Sequence, residues 1–282
     1  MKRFLAALAP AARRLPPAGR IGLALVLCWA CMALIGPAIA PHPPGAVVSA
    51  IAFDGSSARF WLGTDHLGRD VLSRILAGAR STLLPALSAA VLTSAVGHAL
   101  GLFAVVAGQY ASAVLDRVAG ALLSIPGMML ALLVAAAFGA STVVLLLIAI
   151  LVYAPGAYRV ARSLAADIQR REHVQTARLR GERRTYIACV EILPSMVRPL
   201  LVDAGSRFVS IVLLVSGLGF LGLGVRPPDA DLGLLVRENL AGLPHRATPV
   251  LAPALAIATL TIGLTLLLDS LAGKGPRPGD ER

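Results

Sequence analysis

Gln175-Thr176-Ala177-Arg178-Leu179-Arg180-Gly181, followed thirteen residues past the glycine by Pro194 in Ile192-Leu193-Pro194, is the most polar interior stretch of an otherwise apolar chain. Between positions 159 and 198 there are nine arginines, no lysine and four acids, Asp167, Glu172, Glu182 and Glu191. Long apolar runs flank the stretch on both sides, and a basic loop between hydrophobic spans reads as cytoplasmic. Val160, Leu164 and Ile168 recur at helical spacing, so the segment begins as an amphipathic helix. Gly181 sits where a helix can end and the chain turn. Pro194 then limits the second half before the next apolar run. The expected object is a helix, a glycine turn and a second helix at the inner membrane face, open to a partner.

Working outward, the chain has 282 residues, of which 57% are hydrophobic and only 15% charged, with a mean hydropathy of +0.77. Soluble domains average about 25% charged residues, so this is an integral membrane protein. Its net charge of +11 would suggest nucleic acid in a soluble chain. Here the basic residues cluster in segments that would face the cytoplasm and anionic membrane lipid. With 5% aromatic residues and no stacking platform among the arginines, nucleic acid is excluded as a partner. Cys28 and Cys31 share C-x-x-C spacing inside an apolar run, without a neighbouring His or further Cys. They read as small packing residues.

Residues 1–20 carry five basic residues and no acid, and residues 21–40 are uncharged. Twenty residues of helix span about 30 Å, enough to cross a bilayer core. The basic flank places the amino terminus inside. A competing reading is a signal peptide cleaved after Ala38-Ile39-Ala40, but the run is longer than a signal core of about 7–15 residues. Residues 41–80 form the first outer segment. Within it, Asp65, Arg69, Asp70, Arg74 and Arg80 alternate in sign at helix-compatible separations. Local, exposed ion pairs that fix a short helix explain them better than direct substrate contact. His66 has no second ligand and makes no metal site.

Further spans follow the same length rule: 83–106, 118–138, 142–157, 200–224 and 250–268. The second holds Gly97, Gly101 and His98, an intramembrane ionisable group with two readings, a functional residue or a neutral imidazole bonded within the bundle. Pro126 predicts a kink in mid-span. Pro155 and Gly156 mark the end of the fourth span. Asp203 and Arg207 lie one helical turn apart and are expected to pair, since an unpaired Asp at a span centre costs about 2.5–3.5 kcal/mol. Gly222 and Gly224 serve either close packing or a local break suited to a gate. Residues 225–248 form a second outer segment of balanced charge. Lys274, Arg277 and Arg282 place the carboxyl terminus inside.

Several stretches resemble ABC importer permeases. Ala177, Gly181, Ile192, Leu193 and Pro194 are similar to the family's cytoplasmic loop, an E-A-A triplet with a glycine four residues on and a distal I-L-P. Gln175 and Thr176 replace the glutamate and first alanine. Gly63, Thr64, Asp65, Gly68, Arg69, Asp70 and Arg74, with Gly78-Ala79-Arg80-Ser81 after them, resemble the second permease subunit of peptide and nickel importers. Leu123-Ser124-Ile125-Pro126 and Phe220-Leu221-Gly222-Leu223-Gly224-Val225 are similar to further family motifs. Gly120 stands where the family has an acid, and Leu232 where it often has Trp. The resemblance runs from about Trp61 to Asp269.

The resemblance implies an all-α fold of six transmembrane helices, the type I importer permease fold, with a coupling helix in the basic loop. The layout would be a cytoplasmic amino terminus (1–20), a first span (21–40), an outer segment (41–80), a five-helix permease core (81–272) and a cytoplasmic tail (273–282). It implies a homologous permease as heterodimer partner, two ATP-binding subunits and an extracytoplasmic solute-binding protein, in the cell inner membrane. The cargo would be di- or oligopeptides, with nickel or a metal chelate as the alternative. The chain itself carries no G-x-x-x-x-G-K-[ST], G-x-S-x-G or H-E-x-x-H, so neither an enzyme activity nor a cofactor or metal is expected. A stand-alone secondary transporter or channel is the competing class, but its usual mid-span acids are scarce here. A membrane enzyme or scaffold is weakened by the missing catalytic set.

Overall fold

The computed structural model describes residues 15–139, 141–225 and 229–273. The regular structure within them is helical, with two isolated β-bridges, Val47 with Arg69 and Thr64 with Asp70. Helix α1 is Pro17–Ile39, α2 Val71–Ala107, α3 Gln109–Leu123, α4 Gly127–Phe138 and α5 Thr142–Gln169. Then come α6 (Glu172–Leu179), α7 (Arg184–Tyr186), a π-helical turn (Ile187–Ile192) and α8 (Leu193–Phe220). The last are α9 (Leu232–Asn239) and α10 (Thr248–Ala272). Among the described residues five helices are long and apolar enough to cross a membrane, six if α3 and α4 count as one bent span. The basic residues expected to orient the two ends before Leu15 and after Gly273 lie outside the described residues, as do Arg226, Pro227 and Pro228.

Boundaries depart from the sequence reading mainly at prolines. The kink expected at Pro126 is there as an 84° bend between α3 and α4, and the helix before it starts at Gln109 rather than at residue 118. Pro126 is extended (ψ 121°) and caps α4. A proline also biases the residue before it away from helix, so Ile125 adds to the break. Pro155, expected to end a span, lies inside α5. The amphipathic helix of the basic loop is simply the second half of α5. Ala157, Tyr158, Ala161, Ala165 and Ile168 are all buried there, and that packing outweighs an interior proline's cost of about 3 kcal/mol. Pro194 does not stop a helix either, since α7, the π-turn and α8 run on continuously from Arg184 to Phe220. Pro194 lacks an N–H and its ring excludes the carbonyl four residues back, at Val190. The wider π-turn just before it relieves that clash.

Packing divides the chain into two units, Met1–Ala86 with Val212–Arg282, and Leu87–Ile211. In the first, α1 lies on α10 through glycines: a Cβ on Gly22 would stand 2.6 Å from the Leu267 nitrogen, and one on Gly263 2.6 Å from the Leu25 Cβ. Trp29 Nε1 donates to Thr259 Oγ1 at 3.2 Å. Cys28 and Cys31 are exposed on α1, a correction to their reading as packing residues. In the second unit, a Cβ on Gly97 would meet the Ala154 carbonyl at 2.7 Å, and one on Gly101 the Ala161 Cβ at 2.6 Å. This G-x-x-x-G spacing on α2 against alanines of α5 is the small-residue contact by which membrane helices approach closely.

Candidate functional site

The polar loop folds into a braced elbow. Helix α5 ends at Gln169, and α6 starts with Glu172 in its first turn and Arg178 in its last, charges that suit the helix dipole. Val174 and Ala177, both fully buried, join Ile187, Ile192 and Met196 in one core with Ala161, Ala165 and Ile168 of α5. Gly181 adopts φ +75°. Its N–H donates to the Arg178 carbonyl at 2.9 Å and the Glu182 N–H to the Ala177 carbonyl at 3.2 Å, the paired bonds of a Schellman cap. Of the residues expected to couple, Ala177 and Ile192 are buried braces, while Gln175, Thr176, Gly181, Leu193 and Pro194 are exposed. Gln175 Nε2 donates to the Gln169 carbonyl at 3.2 Å, and Thr176 Oγ1 to the Glu172 carbonyl at 2.9 Å. Sequence reasoning missed Leu179, which is 89% exposed at the tip.

The outer motif closes around two carboxylates and two guanidiniums. Gly63 and Gly68 turn the chain with φ of +77° and +74°. Asp65 Oδ1 accepts from the Leu67 and Arg69 N–H groups at 2.8 and 2.9 Å. Its Oδ2 accepts from Arg69 Nε and Arg74 Nη1, both at 2.7 Å. Glu238 Oε2 takes Arg69 Nη2 at 3.0 Å and Arg74 Nη1 at 2.6 Å. Thr64 accepts from the Asp54 N–H at 2.8 Å. Asp70 caps α2, accepting from the Ser73 N–H at 3.2 Å, which is why α2 begins at Val71 rather than residue 83. All seven motif residues therefore come together, but not as exposed local pairs on a short helix. Asp65 and Arg74 are fully buried, and both arginines also bind Glu238 of the second outer segment. Burial is the largest influence on Asp65 and pushes its pKa up. The backbone donors of Arg69 and Leu67 and the Arg69 guanidinium outweigh it and hold the carboxyl below its ordinary value. Asp65, His66 and Glu238 bring possible ligand atoms within 4.8 Å of one another, yet the guanidiniums already occupy both carboxylates.

The glycines read as gate or packing positions end α8. Gly222 has φ +81°, and the Leu223 N–H donates to the Leu218 carbonyl at 2.8 Å. A Cβ on Gly224 would stand 2.5 Å from Asp231 Oδ2. Asp231 caps α9 by accepting from the Leu234 N–H at 2.8 Å and accepts from the Val225 N–H at 3.3 Å. Burial lifts its pKa above the ordinary value despite those donors. These contacts explain the glycines by packing around a buried cap.

A third polar cluster joins three helices of the second unit. Asp203 pairs with Arg207 as expected, at 2.7 and 2.9 Å. It also contacts His98 Nε2 at 2.8 Å, so the His98 imidazole is bonded within the bundle. Arg207 Nη1 donates to the Tyr153 carbonyl at 2.9 Å. Gly156 admits it, since a Cβ there would lie 3.0 Å from that nitrogen.

Residues 97–274 match the family described as the binding-protein-dependent transport system inner membrane component. The chain belongs to this family. It is similar to the di/tripeptide transport system permease protein of Pseudomonas aeruginosa, 32% identical over 89% of this chain and 84% of the relative. It is also similar to the probable D,D-dipeptide transport system permease protein of Escherichia coli, 30% identical over 88% and 83%. The glutathione transport system permease protein of Pectobacterium atrosepticum is 31% identical over 79% and 73%. Family membership and the long apolar helices make this binding-protein-dependent permease a multi-pass inner-membrane protein. It is a transport component and not a catalyst, and the stand-alone transporter, channel and membrane-enzyme readings fall away.

Proposed function

We propose that this permease forms half of the translocation pathway of an ATP-driven importer for di- or oligopeptides, and that its elbow is the coupling helix. The observation that carries the reading is the two-sided build of α6. Val174 and Ala177 are buried against a continuous core, while Gln175, Thr176 and Leu179 stand exposed on the far side. A rigid underside with a presented outer face transmits a push, as a two-state lever must. Gly181, Ile192, Leu193 and Pro194 set where the lever turns and rejoins α8. The partners are a homologous permease, two ATP-binding subunits and an extracytoplasmic binding protein. Both termini and the elbow face the cytoplasm, and the outer motif faces outward. The core extends over 81–272, preceded by the first span and outer segment and followed by a short tail. Peptide as cargo is supported by the peptide and glutathione names of the relatives. Nickel or a metal chelate is the alternative cargo, and the three relatives named above do not carry it in their names.

The test is Leu179→Cys cross-linking in membranes that contain the whole transporter. A product with an ATP-binding subunit, and uptake of a labelled dipeptide that requires that subunit, is expected. Labelling of the introduced thiol only from the extracytoplasmic side would overturn the reading.

A further inference from the structure

Helices α2, α3 and α5 line an open cavity of about 660 Å3 at the end of the second unit that carries the elbow. Its size falls within the range of ligand pockets, about 300–1,000 Å3. The lining is rich in donors: Arg159, Arg162, Ser163, Gln109 and Gln169. Asp116 is the one acid that lines it, and Asp116 is already taken. It pairs with Arg162 Nη1 at 2.7 Å and accepts from the Tyr158 hydroxyl at 2.8 Å. Arg162 is spent on the same pair and on Ser112 Oγ at 2.6 Å.

Arg159 is left over. Among the described residues it has no ion-pair or hydrogen-bond partner. Its guanidinium lies over Gly120 of α3, where a Cβ would stand 3.5 Å from Nη2. That position has no side chain to answer the charge. The depth of Arg159 is also informative. Seventeen residues separate it from Thr142 at the start of α5, about 26 Å of helix. The hydrocarbon core is about 30 Å thick, so the unanswered cation stands near headgroup level rather than in bulk solvent. Basic pockets between spanning helices at that level hold anionic headgroups.

We infer that this cavity binds the phosphate of an anionic phospholipid, with Arg159 as its cation and Ser163, Gln109 and Gln169 as neutral donors. Such a lipid would sit between α3 and α5, the helix that leads into the elbow.

The test uses the transporter, with the subunits that co-purify with it, in nanodiscs of phosphatidylcholine with or without phosphatidylglycerol. Native mass spectrometry counts the phosphatidylglycerol retained. Arg159→Gln is expected to lower retention about fivefold, the effect of one interfacial arginine. Arg159→Lys should keep most of it. Gly120→Glu, which supplies an internal partner and leaves Arg159 in place, should lower it as Arg159→Gln does. Arg117→Gln, on α3 but outside the lining, removes the same charge and should change nothing. Full retention by Arg159→Gln and Gly120→Glu, or equal loss in Arg117→Gln, overturns the proposal. So does inorganic phosphate that occupies the site in pure phosphatidylcholine discs and is not displaced by phosphatidylglycerol, because the anion would then be a soluble one.

Discussion

Arg74 and Glu238 stand 164 residues apart in sequence and 2.6 Å apart in space, and Arg74 is fully buried. The first outer segment is thereby fastened to the second by charge, within one unit. Removing one member of a buried ionic set leaves its partners uncompensated, at about 3–5 kcal/mol. Glu238→Ala is therefore expected to destabilise the outer segments by about 3 kcal/mol. The check is thermal unfolding in detergent together with limited proteolysis across residues 41–70. A melting curve like wild type, with no new cleavage there, would refute it.

Two buried carboxylates of this unit have opposite pH signs. Asp65 is held below its ordinary value of 3.8. Its ionised form is thus favoured by folding, and its contribution is present above that value and lost as pH falls through the folded one. Asp231 is held above 3.8, so its contribution is present below that value and fades as pH rises through the folded one. Melting temperatures measured across an acid-to-neutral series should show Asp65→Asn least harmful at low pH. Asp231→Asn should gain on wild type as pH rises. Parallel curves for the three proteins would contradict both assignments.

Much of this arrangement could be read from residues alone, and the misses have physical causes. The outer motif was visible as alternating charge, and Asp203 with Arg207 as a one-turn pair. Spacing cannot show that Glu238 and His98 complete those sets, because the partners come from remote segments. Proline was the least transferable signal. Pro126 bends the chain sharply where Leu123, Ser124, Ile125 and Pro126 itself are all exposed, so no packing holds that stretch straight. Pro155 and Pro194 pass inside helices, one braced by the alanines that meet Gly97 and Gly101, the other relieved by a π-turn. The exposure of Leu179 is not legible in the sequence, because an apolar residue in a polar helix can as well be a core position.

The contact of Gly97 and Gly101 with α5 leaves no room for a side chain. Gly101→Leu would have to push α2 away from the Tyr158 carbonyl and Ala161, and overpacking of this kind costs about 1–3 kcal/mol. Gly101→Ala should cost less, and Gly101→Leu combined with Ala161→Gly should recover part of the loss. Thermal unfolding of the four proteins decides it. A harmless Gly101→Leu would mean that α2 and α5 do not pack in this way.

The Asp203 cluster makes a prediction about coupling. Asp203→Asn weakens the contacts to both Arg207 and His98, and Arg207→Gln leaves Asp203 with His98 alone. The double variant removes both charges of the pair, so its destabilisation should be smaller than the sum of the singles. The expected interaction energy is about 1–3 kcal/mol. Additive single effects in a double-mutant cycle would show that the ion pair is not formed in the membrane.

Gly181 permits the cleanest separation of shape from stability at the elbow. A Cβ added there meets nothing within 4 Å, so the demand for glycine comes from φ +75° alone. A left-handed conformation costs an L-residue about 1–2 kcal/mol, with Asn tolerated better and a β-branched residue worst. The strain falls on the turn that aims α6, while the buried brace of Val174, Ala177 and Ile192 is untouched. Gly181→Val is thus expected to leave insertion and ATP hydrolysis in place but to lower uptake per ATP hydrolysed several-fold. Gly181→Asn should stay close to wild type. Paired assays in reconstituted vesicles read both rates. Equal loss in Asn and Val variants would mean that side-chain bulk at the docking face, and not the backbone turn, is what the partner senses.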